Sequence, residues 1–408
     1  MSHAARAFSP LDSELELLSG RLSPNLAEAV TRLGLSMPFR VSTEILSALT
    51  GVRLTESMIR RVTLKSGRIL VALEEKAVEL LEKEAPTVEA SAPRLQLSVD
   101  GAMVPLRRGA WAEARTLVVA ALGCEDSQLR ADTLSYFSRM SDHATFSRMA
   151  TIETHRRGVE KAELVLAIND GAEWIQETVD LHRPDAVRIL DWAHASSHVH
   201  DAGHAFFGEG CGAWCDAQLA ILRHGEPIDV IVELARLADT LDAEHPAQAT
   251  VAQSLIYLAK RYDQIQYAAY SARGYPIGSG IVESANRTVV QARLKGAGMH
   301  WAPSSVNPIL ALRSAACSDR WSFVWPRIAA QHRHADCYRR RCRRVDRAAA
   351  AQIAEAPPTR TPDRPPRMVN GRPTKDHPYN RHPAVKPRRE PHRRTGSAQG
   401  RGHALGAK

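Results

Sequence analysis

The spacing of apolar residues changes several times along the chain and divides it into regions of different structure. As far as Pro86, apolar residues recur at intervals of three and four, which is the period of an amphipathic helix. From Leu95 they alternate with polar residues or form short β-branched runs, which are typical of strands. Between about Ser196 and Ala272 the helical period returns. The pattern predicts an α/β protein with a helical N-terminal region and a helical insertion.

Two of the predicted N-terminal helices are joined by a short turn at Thr50–Gly51. Two helices around a glycine-containing turn resemble a helix-turn-helix, whose second helix reads DNA. That second helix carries three basic residues, Arg60, Arg61 and Lys65. The acidic stretch from Glu74 to Glu84 would be repelled by DNA, so a helical bundle or a dimerisation arm stays an open alternative.

The strand-forming region has its elements in the order β-β-β-α-β-α-β. The segments are RLQLSVDGAMVPL, ARTLVVAALGCE, LRADTLSYFSRM, a helix over 143–161, ELVLAIND, the helix AEWIQETVDLHR, and AVRILDWAHA. Strands in direct succession predict antiparallel pairing, and strands that follow helices predict parallel pairing. We therefore predict an RNase H-like mixed sheet, with the helical insertion between its last strand and its final helix.

These patterns predict five regions. They are a helical region with a candidate DNA-binding role (1–90), the first part of the RNase H-like core (91–195), the helical insertion (196–275), the final core helix and the helices that follow it (276–330), and a basic, largely disordered tail (331–408). The tail has 20 Lys and Arg against 6 Asp and Glu, a net charge of +14. Since the whole chain carries +9, residues 1–330 carry −5. The tail is expected either to be attracted to phosphate or to serve only as a solubilising segment.

The remaining composition excludes several classes of protein. No apolar run reaches the length of a membrane span, and the N-terminus lacks the apolar core of a signal peptide. Six cysteines without disulfide-framework spacing are typical of a reducing cytoplasm. The sequence also has no Walker A loop, no Rossmann fingerprint and no Gly-x-Ser-x-Gly motif. We predict a cytoplasmic protein.

Four acids stand where a metal site would need them. Asp100 lies in the first predicted strand, Asp170 and Asp191 close the fourth and fifth, and Glu283 lies in the first turn of a helix entered through Gly278–Gly280. Acids at strand ends build the sites of open α/β sheets, and Mg²⁺ prefers carboxylate oxygen. Two divalent cations ~4 Å apart, held by about three carboxylates, catalyse phosphoryl transfer. Each acid could instead cap a turn or a helix.

Several segments resemble bacterial insertion-sequence DDE transposases, in particular the Kra group, which is related to Mutator-like transposases. The segments are SVDGAMVPL, INDGAEWI, DWAHA, GYPIGSGIVES and RLKGAGMHW. The resemblance covers about Pro38 to Trp321, and the phrase around Glu283 is its most specific part. NGRPTKDHPYNRH resembles the Pro-rich close of the same proteins. The resemblance implies an RNase H-like catalytic domain with a triad of two aspartates and one glutamate.

The first acid of the implied triad is Asp100 and the last is Glu283. In the RNase H order the second acid follows the fourth strand, which favours Asp170. Asp191 also closes a strand near the site and stays open as an alternative second acid. Asp191 and His194 match an Asp-x-x-His motif of Mutator-like transposases, in which the pair lies near the site and supports structure or DNA handling.

The resemblance also implies a reaction and its partners. Mg²⁺ or Mn²⁺, with two ions expected, would be bound by Asp100, Asp170 and Glu283 and would activate water to cut one strand at each transposon end. The freed 3′-hydroxyl would then attack target DNA. The expected partners are transposon ends, target DNA and further copies of the chain on DNA, in the bacterial nucleoid.

Basic residues follow Glu283 along its helix. Arg287, Arg293 and Lys295 are expected to contact backbone phosphates, which position DNA without reading its sequence. Trp301 has two interpretations, a base-stacking platform or a buried core residue, and the core role is the expected one.

A cluster of histidines and cysteines provides a competing hypothesis. His198, His200, His204, Cys211 and Cys215 lie close together in sequence, and their spacing is compatible with a zinc site. Two alternative functions therefore stay open beside the transposase: a catalytically silent DNA-binding protein derived from one, and a zinc-dependent hydrolase.

Overall fold

The computed structural model describes residues 22–88, 91–355, 368–369 and 372–373. Within these residues the protein is α/β, with a five-stranded mixed sheet surrounded by helices. The strands of this sheet are β1 (Arg94–Pro105), β2 (Trp111–Glu125), β3 (Gln128–Arg139), β4 (Leu164–Asn169) and β5 (Val187–Leu190). A separate pair is formed by two short strands, β6 (Met368–Val369) and β7 (Arg372–Pro373).

Helices precede, connect and follow the strands. The N-terminal helices are α1 (Pro24–Ser36), α2 (Phe39–Thr50) and α3 (Glu56–Glu84). The crossovers between strands are α4 (His143–Arg157) and α5 (Glu173–His182). The insertion after β5 comprises α6 (Trp192–Phe207), α7 (Gly212–His224), α8 (Pro227–Asp239), α9 (Gln248–Lys260) and α10 (Tyr267–Ala272). The last group is α11 (Gly280–Ala285), a π-helical segment (Asn286–Gln291), α12 (Ala292–Leu294), α13 (Pro303–Cys317) and α14 (Trp321–Glu355).

The sheet has the strand order β3-β2-β1-β4-β5. The first three strands pair antiparallel, and β4 pairs parallel with both β1 and β5. The predicted order of elements, β-β-β-α-β-α-β, is confirmed. The fifth strand is shorter than predicted, because Asp191 ends it by capping α6 instead of continuing into DWAHA.

Strand β1 lies in the middle of the sheet, and its two faces are covered by different helices. Leu95, Leu97 and Val99 belong to the core formed with α4 and α5. Residues of the opposite phase, such as Val104, pack against the π-helical segment, α12 and α13. Side chains alternate along a strand, so Asp100 lies on the second face, under the helix that carries Glu283.

The N-terminal helices share their core with the C-terminal ones. Leu46 and Ile59 are buried together with residues of α13 and α14. Helices α3 and α13 approach so closely that a Cβ added at Gly67 would lie 2.2 Å from the carbonyl oxygen of Pro308. The described residues as far as Arg340 accordingly belong to one compact unit. The helix-turn-helix role of this region stays a prediction.

Part of the segment predicted as a disordered tail is helical. Helix α14 continues to Glu355, well beyond residue 331. No Pro or Gly occurs between Pro326 and Pro357, and this segment is rich in Ala and Arg, which favour helices. The second compact unit, Arg341–Lys408, contains the end of this helix and the β6–β7 pair. Residues 1–21, 356–367, 370–371 and 374–408 lie outside the described residues, and with them most of the predicted tail.

Among the described helices, none combines the length and the apolar character that crossing a membrane requires.

The close approach at Gly67 predicts that replacing glycine by alanine changes stability differently at two positions. Gly67→Ala is expected to lower the free energy of unfolding by about 1–3 kcal/mol, because the new methyl group meets backbone that cannot move alone. Gly212→Ala, at the start of α7 where the added methyl meets open space, is expected to be neutral or stabilising. Urea unfolding of both variants measures the difference. Equal stability of the two would contradict the packing of α3 on α13.

Candidate metal and nucleic-acid site

Three aspartates lie at one level of three neighbouring strands. Leu97 pairs with Ala167, so the register extended by three residues sets Asp100 opposite Asp170. Asn169 pairs with Leu190, so the next pair is Asp170 and Asp191. Because neighbouring strands are about 4.8 Å apart, this register brings three acids to one edge of the sheet.

Asp100 is partly buried and held by two hydrogen bonds. Its Oδ1 accepts the backbone N–H of Gly101 at 2.7 Å, and its Oδ2 accepts Nδ2 of Asn286 at 2.8 Å. Burial raises the pKa of Asp100, and the negative charge of Asp170 raises it further, against the lowering effect of the hydrogen bonds. The ionised form of Asp100 is therefore destabilised where it stands, which a nearby cation would relieve.

The turn after β4 is clamped by helix α9 of the insertion. Oδ1 of Asp170 accepts a hydrogen bond from the backbone N–H of Ala172 at 2.9 Å. The backbone carbonyl of Asp170 accepts a hydrogen bond from the hydroxyl of Tyr257. Arg261 donates to the carbonyl of Gly171 from Nη2 at 2.6 Å and from Nε at 3.2 Å. Gly171 has a φ of 81°, and a Cβ there would lie 2.3 Å from Arg261 Nε. Both the backbone angle and the contact therefore require glycine.

Asp191 is buried and has both carboxylate oxygens occupied. Its Oδ1 accepts the backbone N–H of Ser279 at 2.6 Å. Its Oδ2 accepts the backbone N–H of His194 at 3.2 Å and lies 3.0 Å from the ring Nδ1 of the same residue. Burial alone would raise the pKa of Asp191, but the hydrogen bonds from His194 and Ser279 hold it at about 2. The hydrogen bond to Asp191 also raises the pKa of His194, because the carboxylate stabilises the protonated ring.

Glu283 is brought near the site by its helix but is not bonded to it. Val282 and Ala285 pack on Val118 of β2 and fix α11 against the sheet. Glu283 is exposed, and its carboxylate forms no hydrogen bond or ion pair with any described residue. One turn later, Asn286 reaches Asp100. The structure thus joins the Glu283 helix to the first acid through Asn286, a contact that the sequence analysis did not assign.

Asn286 begins the π-helical segment and is 3% exposed. Its Nδ2 donates to Asp100, and its Oδ1 is buried without a hydrogen-bond partner. A buried amide oxygen without a partner is costly, and π-helical turns are frequent at functional sites. The sequence signal was a polar residue three positions after Glu283 on a face that is otherwise apolar.

Among the three basic residues after Glu283, one prediction is wrong. Arg293 is 1% exposed, so it is not available to DNA phosphates. Its Nε donates to the carbonyl of Gly34 at 3.0 Å, and its guanidinium stacks on Phe39 and Trp301 at 4.6 and 4.8 Å. Burial lowers the pKa of Arg293 to about 10. Arg293 follows the buried Val289 at an interval of four residues, so it lies on the buried face of its helix.

Arg287 and Lys295 are exposed, as a phosphate contact would require. Trp301 is buried, and its Nε1 donates to the carbonyl of Leu294 at 3.1 Å. The expected core role of Trp301 is therefore confirmed, and its ring is not free to stack on a base.

The histidines and cysteines of the candidate zinc cluster do not come together around one point in the described structure. His198 stacks on Tyr257 with 3.8 Å between ring centroids, and His200 and His204 are exposed. Cys215 is buried, and its pKa is raised to about 11 by burial and by a hydrogen bond with Cys211. Across the described ranges, no three His, Cys, Asp or Glu side chains lie close enough together to hold a metal ion. This holds for the zinc cluster and also for Asp100, Asp170 and Glu283 as they stand.

Comparisons with known proteins give no family for this chain, since no protein-family model matches it and no curated protein matches it. A functional proposal for this chain therefore has to rest on the geometry of the four acids.

The Asp191 contacts predict a change in stability with pH. Asp191→Asn is expected to lower the free energy of unfolding at pH 7 by about 2 kcal/mol, since an amide cannot accept N–H groups at both ends. The folded pKa lies below the unfolded value, so the contribution is complete above about pH 4 and is lost as the pH falls towards 2. Urea unfolding at pH 7 and at acid pH measures it.

Glu283→Gln is the matched control, because Glu283 is an exposed acid without a bonded partner among the described residues. It should leave stability unchanged at both pH values. An Asp191→Asn variant as stable as the unmodified protein at pH 7 would contradict the role of Asp191 in closing the fold.

Proposed function

We propose that the chain is a DDE transposase, which cuts DNA at transposon ends and joins the freed ends to target DNA. The proposal includes an RNase H-like identity for the sheet and the sequence resemblance to the Kra group of insertion sequences. The mixed sheet with order β3-β2-β1-β4-β5 is compatible with that identity. The helical insertion between β5 and α11 agrees with the same interpretation.

One observation carries the proposal: Asp100 and Asp170 stand at one level of adjacent strands and repel each other. The burial of Asp100 raises its pKa, and the charge of the nearby Asp170 raises it further. Two carboxylates kept together at a cost in free energy are typical of a cation site, since a structural pair of this kind gains nothing from the repulsion.

Mg²⁺ or Mn²⁺ fits the donors present, which are carboxylate oxygens, with two ions expected. Asp100, Asp170 and Glu283 would hold the metal, which would supply activation of water and stabilisation of charge at phosphorus. Glu283 would have to turn towards the aspartates, and no bonded partner among the described residues holds it back. Asn286 fixes Asp100 in the orientation that the site needs.

The contacts favour Asp170 over Asp191 as the second acid. Asp191 has both oxygens engaged by Ser279 and His194, so ligation of a metal would break the closure of the insertion. Asp170 engages Oδ1 with Ala172 within the described part of the chain, which leaves it the better donor. Asp191 and His194 then act as positioning residues that hold the segment before α11.

DNA would be the partner of this site. Arg287, in the π-helical segment, and Lys295, directly after α12, are both exposed and would contact phosphates. Arg60 and Arg61 are exposed on α3, which suits the helix-turn-helix hypothesis. The basic residues of 331–408 would add non-specific attraction. We further propose that the chain works as a homo-oligomer on DNA, in the bacterial nucleoid.

A second candidate is a DNA-binding protein that does not cut. The observation in its favour is that the Glu283 carboxylate stands apart from the two aspartates. The two candidates differ in strand joining, which the second does not perform.

Strand transfer with the DNA that flanks the gene tests the proposal. Asp100→Asn, Asp170→Asn and Glu283→Gln are each expected to lower joining by about a thousandfold or more, because each removes a metal ligand worth several kcal/mol in the transition state. DNA binding and thermal stability should stay near those of the unmodified protein. Glu209→Gln, at an exposed acid of the insertion, is the matched control and should join normally.

Joining by both Asp100→Asn and Glu283→Gln at the normal rate would refute the triad. Binding without joining by the unmodified protein would select the silent DNA-binding candidate. Normal joining by Asp170→Asn, with loss by Asp191→Asn at unchanged stability, would reverse the assignment of the second acid.

A further inference from the structure

The turn between β1 and β2 and the loop after α12 form a basic surface, of which only Lys295 is already proposed to contact DNA. The turn contributes Arg107, Arg108 and Trp111, and the loop contributes Lys295 and His300; all five are exposed. We call these five residues the hairpin surface. Trp111 is 55% exposed, which is unusual for so large an apolar side chain.

Backbone hydrogen bonds hold the two segments of the hairpin surface together. The N–H of Trp301 donates to the carbonyl of Pro105, and the N–H of Arg107 donates to the carbonyl of Trp301, both at 3.0 Å. The N–H of Leu106 donates to the carbonyl of Ala110 at 2.7 Å and closes the turn. The buried ring of Trp301 fixes these backbone hydrogen bonds to the core. The basic residues are therefore displayed on a fixed support, which lowers the entropy lost on binding.

The positive charge of the hairpin surface is not neutralised within the described part of the protein. Neither Arg107 nor Arg108 forms an ion pair with a described residue. The acid nearby on β2, Glu113, is paired with Arg115 at 2.6 Å. Residues 1–330 are net negative, so a local group of cations here stands out against the rest of that region.

Arg108 adopts a backbone conformation that arginine disfavours. Its φ of 65° and ψ of 29° are left-handed, and it precedes Gly109 at φ 75°. Glycine or asparagine would adopt this conformation more readily. The turn thus carries an arginine where local stability favours another residue, which indicates a role outside folding.

The hairpin surface lies further along the strand that carries Asp100. Six residues separate Asp100 from Leu106, a distance of about 20 Å along β1. The helical run from Asn286 to Leu294 follows the same direction, because its ends contact Asp100 and Trp301. A DNA duplex cut at Asp100 and lying along this face would pass the hairpin surface about six base pairs away.

We propose that the hairpin surface binds the phosphodiester backbone of a DNA duplex about six base pairs from the bond held at Asp100. Arg107, Arg108 and Lys295 pair with phosphates, and the indole N–H of Trp111 donates to the same backbone. Such contacts fix the position of the duplex without reading its sequence. This inference rests on the proposed DNA-cutting function and extends it to how the duplex is held.

Fluorescence anisotropy of the full chain with a labelled duplex of arbitrary sequence, across a range of salt concentrations, tests the hairpin surface. The variant Arg107→Ala with Arg108→Ala is expected to bind more weakly and to lose about two units of salt slope, since each phosphate contact contributes about 0.9. Its loss of affinity between 50 and 200 mM salt then becomes about tenfold smaller. The control is Arg273→Ala with Lys76→Ala, which removes two exposed cations elsewhere and should keep the slope.

Arg108→Gly separates binding from folding. It removes the charge and relieves the left-handed backbone, so thermal stability should stay equal or rise while DNA affinity falls. A fall in stability with unchanged affinity would overturn the proposal in favour of a structural role. If polyglutamate displaces the labelled duplex as effectively as unlabelled duplex does, the assignment to DNA is overturned.

The outcomes also separate this inference from the proposed function. If the unmodified protein binds no duplex at low salt, both fail. If it binds and joins DNA while the double arginine variant keeps the same affinity and slope, the hairpin surface alone is refuted.

Discussion

The Asp191 carboxylate is the interaction on which the arrangement of the site depends. It accepts the backbone N–H of Ser279, 88 residues further along the chain, while its other oxygen holds the start of α6 through His194. The neighbouring N–H of Trp192 donates to the carbonyl of Ile277. The chain thus leaves the sheet and returns to it at one point. Helix α11 begins directly after this point, so the position of Glu283 follows from it.

The insertion that this closure encloses takes part in shaping the site. Tyr257 lies in α9 and donates to the carbonyl of Asp170, and Arg261, directly after α9, donates to the carbonyl of Gly171. Tyr267 donates to the carbonyl of Leu190 at 2.9 Å. The ends of β4 and β5 are therefore held by helices that carry none of the four acids. Such residues orient ligands without touching substrate, and their loss would displace acids at a distance.

Sequence patterns predicted the sheet and the level of its acids because both follow from local rules. Alternation defined β1, the helices between strands required parallel pairing, and Asp170 stood at a strand end. The contacts made after Glu283 were not predictable in this way. The spacing of the helix places Asn286 and Arg293 on its buried face, but it does not show that Asn286 reaches Asp100. Contacts between segments far apart in sequence, such as that of Arg293 with Gly34, leave no periodic signal.

The burial of Arg293 changes where positive potential near the site must come from. A net-negative region that holds two repelling aspartates attracts cations but also repels the DNA that would have to reach them. A bound metal would reduce the negative potential only locally. The exposed cations that would reduce the repulsion of DNA are Arg287, beside Glu283, and those of the hairpin surface at the end of β1. The duplex would therefore be held mainly away from the acids, and the acids kept for the bond that is cut.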